Sequence, residues 1–155
     1  PMLSAMPART GGSILTVNGG SSSLKFALFD GDDGLRRRLA GRIERIGLGG
    51  AFLVGGDEGG ERERREIEAP DHERAVTALI DWLEARGALA ALAALGHRVV
   101  HGGPRFTRPT PVDADVLAEL RRLSALDPDH LPGEIAMLEA FARHRPDLPQ
   151  VACFD

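Results

Sequence analysis

Ile14-Leu15-Thr16-Val17-Asn18-Gly19-Gly20-Ser21-Ser22-Ser23-Leu24-Lys25-Phe26-Ala27-Leu28-Phe29-Asp30 sets a turn of small polar residues between two apolar runs. Each run has the composition and length of a β-strand. Between them, glycines let a backbone approach a ligand closely, and successive N–H groups in a turn form an anion-binding nest. Ser21, Ser22 and Ser23 add hydroxyls, and Lys25 adds a point charge. A turn of this kind suits a phosphate. Two well-known phosphate loops are excluded by context. A P-loop needs G-x-x-x-x-G-K-S/T followed by a helix, whereas Lys25 leads into Phe26 and a strand-like alternation. A Rossmann fingerprint likewise opens a helix. For these residues alone, an ordinary Gly/Ser hairpin loop is the competing reading.

The chain has 155 residues, 43% of them hydrophobic and 27% charged, which places it among globular domains large enough for a sizeable core. Its net charge of −4 argues against a nucleic-acid binder that relies on a basic face. No apolar run approaches the length of a membrane span, so neither nucleic acid nor membrane is an expected partner. Residues 1–13 lack the apolar core of a signal peptide and read as a flexible tail. The single cysteine, Cys153, leaves no internal disulfide, and a cytoplasmic location follows as the expectation.

Beyond the hairpin, Asp30-Gly31-Asp32-Asp33-Gly34 signals a turn. Leu35 to Ile46 reads as a third strand, and Ala51-Phe52-Leu53-Val54 as a short one. The charged run Glu61 to Glu68 suits an edge strand, where charge discourages aggregation. Asp71 is placed to cap a helix whose apolar face is Val76, Leu79, Ile80 and Leu83. Gly87 is a stop or a kink, and the alanine-rich Ala88 to Ala94 is expected to continue as helix. Trp82 reads as packing. In Leu95-Gly96-His97-Arg98-Val99-Val100-His101-Gly102-Gly103, two histidines and an arginine accompany a short apolar strand. The plain reading of that stretch is an edge strand with solvated side chains. Asp113 caps a helix with a stripe of Val116, Leu117, Leu120 and Leu123. Glu134 to Arg143 makes a further helix, and Gln150 to Asp155 a closing strand.

Three of these stretches, in order, resemble the motifs of the acetate kinase family. VNGGSSSLKFALFD matches a signature close to V/I-N-x-G-S-S-S-L/I-K, GHRVVHGG matches a motif of nearly the same spelling, and Val151-Ala152-Cys153-Phe154-Asp155 resembles the start of V-x-V-F-D-T-A-F-H. The resemblance implies an α/β fold: a ribonuclease H-like, actin-like ATPase domain with a mixed five-stranded sheet flanked by helices. It implies that residues 14–155 form the amino-terminal domain of a two-domain enzyme, without the carboxy-terminal domain, and inactive alone. The reaction implied is reversible phosphoryl transfer between ATP and acetate or another short-chain carboxylate, with Mg²⁺, giving an acyl phosphate and ADP. A homodimer formed through the carboxy-terminal domain is implied as well. The runner-up is a non-enzymatic ATP-binding or regulatory module of the same superfamily.

Carried over residue by residue, the resemblance puts Asn18 near the metal and the transferring phosphate. It puts Ser21, Ser23 and Lys25 along the phosphate path, Arg98 on the substrate carboxylate and Val100 beside the acyl group. Asp155 becomes the catalytic aspartate. A carboxylic acid substrate, titrating near roughly 4.3, is already an anion at neutral pH. A metal-positioning or geometric role therefore suits Asp155 better than proton abstraction. The chain departs from the family between its second and third motifs. Leu126-Asp127 stands where the family has His-Asn, His130 stands at a later Asn, and Ala125 replaces a pocket leucine. The last change predicts room for an acid larger than acetate.

Overall fold

Burial alternates along both runs that flank the polar turn. In β1 (Ser13–Gly19), Leu15 and Val17 are buried while Thr16 is exposed. In β2 (Leu24–Asp30), Leu24, Phe26 and Leu28 are buried while Lys25 is exposed. A two-residue period with one covered face is what the side-chain alternation of a strand demands. The computed structural model describes residues 12–31 and 34–155. The first strand begins at Ser13, one residue before the expected boundary. Most of the expected tail, residues 1–11, lies outside the described residues.

Around the hairpin stand β3 (Arg37–Glu44), β4 (Phe52–Asp57), β5 (Glu63–Glu66), α1 (His72–Ala85) and β6 (Leu92–Val99). They are followed by β7 (Thr110–Pro111), α2 (Ala114–Leu123), α3 (Leu131–His144) and β8 (Gln150–Phe154). The strands form one mixed sheet in the order β5-β4-β3-β2-β1-β6-β8-β7. β1, β6 and β8 run parallel, and the remaining pairs are antiparallel. The sheet has eight strands rather than the expected five. The glycine-rich segment and the charged run extend β3 outward as β4 and β5, and two loop residues pair along β8 as β7. The charged run does lie at a sheet edge.

Ala88 to Ala94 does not continue α1. Gly87, at φ +69°, takes a left-handed conformation in which glycine carries no steric penalty, and the helix ends there. Leu92 and Leu95 then bury on β6, between β1 and β8, so tertiary pairing overrides alanine's helix propensity. β6 is consequently an interior strand, not the edge strand of the plain reading.

Helix starts follow their caps. Asp71 accepts from the Arg74 N–H at 2.9 Å, and Asp113 accepts from the Val116 N–H at 2.8 Å. α3 starts three residues before Glu134, because Pro132 is tolerated in a first turn where no intrahelical N–H bond is needed. One core packs α1 and α3 on the sheet, with Trp82 edge-on to Phe26 at 5.5 Å between ring centroids. The expected α1 face (Val76, Leu79, Ile80 and Leu83) is buried in it. A second core joins α2 and α3 to Val99 and Ala152. Among the described residues no helix is long and apolar enough to cross a membrane.

Candidate active site

The sheet register places the site. Asn18 pairs with Arg98 across β1 and β6 and with Lys25 across β1 and β2. Residues from three strands, Arg98 distant in sequence from the other two, thus form one row on the sheet face opposite the helices. The row lies at the carboxyl ends of the parallel strands, where open α/β sheets bind ligands.

The turn between β1 and β2 is held from several sides. Gly20 N–H donates to the Ser23 carbonyl at 2.8 Å, His72 Nε2 donates to the Gly20 carbonyl at 2.9 Å, and Ile46 N–H donates to the Ser22 carbonyl at 2.8 Å. Neither Gly19 nor Gly20 has a positive φ. Close approach is their reason: a Cβ on Gly19 would stand 2.2 Å from Met137 Cε of α3, and one on Gly20 would stand 2.6 Å from Ser23 Oγ.

Beside the turn lies a cavity of about 310 Å³, lined by Asn18, Gly19, Gly20, Ser23, Lys25, Arg98, Val100, His130, Glu134 and Asp155. It gathers six of the seven residues expected from sequence. Ser21 does not line it and is exposed on the turn. Arg98 and Asp155 are joined in a forked pair: Nε donates to both carboxylate oxygens at 2.9 and 3.1 Å, and Nη2 donates to Oδ2 at 2.7 Å. The Arg98 guanidinium holds the Asp155 carboxyl below the usual carboxylate range. A guanidinium has a second donor edge, Nη1 with the other Nη2 proton. No hydrogen bond among the described residues uses Nη1, and the side chain is 59% exposed.

His97, next to Arg98, faces the other way. It is buried, its Nε2–H donates to Gln150 Oε1 at 2.6 Å, and Gln150 Nε2 donates in turn to the Leu138 carbonyl. Its Nδ1 has no partner. Burial pulls the imidazole down to about 4, so it is neutral at physiological pH and serves packing against Phe141 rather than the site.

Sequence reasoning missed Glu134 and did not assign His130 a role. Glu134 is 6% exposed in the first turn of α3, and both its oxygens take the Val100 N–H at 3.2 and 3.1 Å. Burial pushes its carboxyl up to about 7. The available signal was a charged residue in phase with the apolar stripe Leu131, Ile135, Leu138. At the rim, Asp127 accepts from His130 Nδ1 at 3.0 Å and from the His130 N–H at 3.2 Å, with His101 Nε2 at 3.8 Å. This contact gives the unusual Asp127 and His130 a structural reason: together they close the turn from α2 into α3. Ala125 is exposed and Leu126 is 77% exposed, and neither lines the cavity. The extra room expected at Ala125 is therefore not part of this cavity.

Among the described residues no group of three or more His, Cys, Asp or Glu is arranged to hold a metal. Asn18 and Asp155 nevertheless bring two hard oxygen-donor side chains to the lining of one cavity. That set fits Mg²⁺, which takes one or two carboxylates together with waters and substrate phosphates.

The chain is similar to acetate kinases over nearly its whole length. It is 44% identical to acetate kinase of Streptomyces griseus over 151 residues, covering 92% of this chain and 36% of the relative. It is 39% identical to acetate kinase of Rhodopseudomonas palustris over 146 residues, covering 92% and 37%. Among solved structures, a propionate kinase from Francisella tularensis superposes with a TM-score of 0.84 at 33% identity, covering 93% of this chain and 37% of that one. Porphyromonas gingivalis acetate kinase superposes with a TM-score of 0.85 at 30% identity, also covering 93% and 37%. The chain thus spans little more than a third of the length of the curated relatives it matches. With the Acetokinase family model matching residues 13–155, the chain belongs to that family.

Proposed function

We propose that this chain supplies the carboxylate- and phosphate-binding side of a carboxylate kinase. The enzyme moves a phosphoryl group reversibly between ATP and acetate or another short-chain carboxylate, giving an acyl phosphate and ADP. The observation that carries this reading is the second donor edge of Arg98, a residue of the cavity lining: no hydrogen bond among the described residues uses Nη1, while Asp155 occupies the first edge. A planar fork matches a carboxylate bidentately, so Arg98 orients the attacking oxygen without releasing Asp155.

In phosphoryl transfer the protein contributes mainly positioning and charge stabilisation. Lys25, exposed on β2 beside the turn, offers a point charge to the transferring phosphoryl group. Ser23 and the turn backbone offer donors to its oxygens. When bound, Mg²⁺ would be held by Asn18 and Asp155 and would neutralise charge on the phosphates. The carboxylate substrate is already ionised, and Asp155 is held in its anionic form by Arg98. Its role is to fix the guanidinium and to balance the positive charge of the site, with no proton to abstract.

The test is a titration of the 155-residue protein with acetate and with acetyl phosphate, observed through the Arg98 Nε–H and Lys25 side-chain NMR signals. Saturable shifts at Arg98 with both ligands, an added response at Lys25 only with acetyl phosphate, and loss of that Lys25 response in Arg98→Ala are expected. An Arg98 signal indifferent to acetate refutes the reading.

A further inference from the structure

Glu134 is the one buried charged group in the cavity that the reaction above leaves without a task. A carboxylate has about four lone-pair sites for donors. Among the described residues Glu134 receives one N–H, that of Val100, shared between its two oxygens. An under-supplied buried carboxylate is costly, and the carboxyl's shift to about 7 fits that shortage. Asp127 and Asp155 push in the same direction, while the Val100 N–H and His130 oppose it. Glu134 lines the cavity together with Arg98 and Val100. An occupant of the cavity is placed to supply the donor that completes Glu134.

With the occupant's carboxylate on Arg98, as in the reading above, Val100 and Glu134 are among the cavity residues left to meet its acyl carbons. An unsubstituted alkyl tail displaces water from Glu134 and returns no hydrogen bond. A hydroxyl returns one. An ammonium gains little, because the two carboxylates of the cavity, Glu134 and Asp155, are already matched by Lys25 and Arg98.

We propose that Glu134 is a specificity-determining residue that accepts a hydrogen bond from a hydroxyl on the acyl chain, so that the preferred substrate is a short hydroxy acid. This rests on the carboxylate-kinase reading and names its substrate class.

Three ligands of one carbon skeleton test it: propionate, 2-hydroxypropionate and alanine, titrated into the 155-residue protein and followed at the Arg98 Nε–H signal. At a pH above about 8, where Glu134 is ionised, a hydrogen bond to this charged acceptor predicts that 2-hydroxypropionate binds about tenfold more tightly than propionate, with alanine weakest. Glu134→Leu brings 2-hydroxypropionate to the affinity of propionate. Glu134→Gln keeps an oxygen that accepts from both Val100 and the hydroxyl, and it retains most of the preference. Equal binding of propionate and 2-hydroxypropionate by the parent protein overturns the proposal, and that result needs no variant to fold. So does a Glu134→Leu variant that weakens every ligand by one common factor, which marks a purely structural residue. Preference for alanine overturns the hydroxyl in favour of a cationic donor. If none of the three reaches Arg98, the carboxylate site itself is wrong.

Discussion

Replacing Glu134 by Gln changes how stability depends on pH, and the structure fixes the sign. The folded carboxyl titrates near 7, against an ordinary value of 4.5. Between those values the folded protein keeps a proton that the unfolded chain has released. The stabilisation is complete below about 4.5 and is lost as pH rises through 7, at about 1.4 kcal/mol per pH unit and about 3 kcal/mol in all. His97 works in the opposite sense. Its folded imidazole titrates near 4 against an ordinary 6.5, so its contribution is complete above 6.5 and is lost as pH falls. From about pH 4.5 to 6.5 the two slopes nearly cancel, and these groups leave the parent protein almost indifferent to pH. Glu134→Gln removes one slope. The unfolding free energy of the variant minus that of the parent rises by about 1.4 kcal/mol per pH unit across that range. Urea unfolding at several pH values, read by the fluorescence of the single tryptophan, Trp82, gives both curves. Subtraction removes the titrations the two proteins share. A flat difference refutes the buried, donor-poor environment assigned to Glu134.

Two further substitutions probe the frame around the site. In Gly102→Ala the new Cβ would stand 2.4 Å from Phe106 Cβ and 2.8 Å from Phe154 Cδ1, across a ring pair stacked at 5.6 Å. A loss of about 1–3 kcal/mol in urea unfolding is expected, and an unchanged midpoint contradicts the packing described. Asp113→Ala removes the oxygen that accepts the Val116 N–H and should lower stability by about 1 kcal/mol. Asp113→Asn, measured in the same way, should restore most of it.

The parts of the fold legible in sequence are those where a local signal and the tertiary environment agree. Asp71 and Asp113 are capping residues ahead of periodic apolar stripes, and both helices start there. The polar turn between two apolar runs reads as strand–turn–strand from its own residues. The row of Asn18, Lys25 and Arg98 needs the register of three strands, which no local pattern supplies; the resemblance to a family assembled those residues instead. Ala88 to Ala94 misleads because alanine favours a helix locally, while the slot beside β1 accepts small residues on a strand. Glu134 stays hidden because one acidic residue at a helix start reads as favourable capping charge. Its burial becomes visible only once α3 is seen to begin at Leu131 and to lie against the end of β6.

The same helix touches the site twice: Met137 lies against Gly19 of the turn, and Glu134 holds the Val100 N–H at the end of β6. α3 thereby ties the turn after β1 to the end of β6, so that a shift at one is felt at the other through the helix. Changes at positions 19 and 137, or at 100 and 134, should therefore be strongly non-additive.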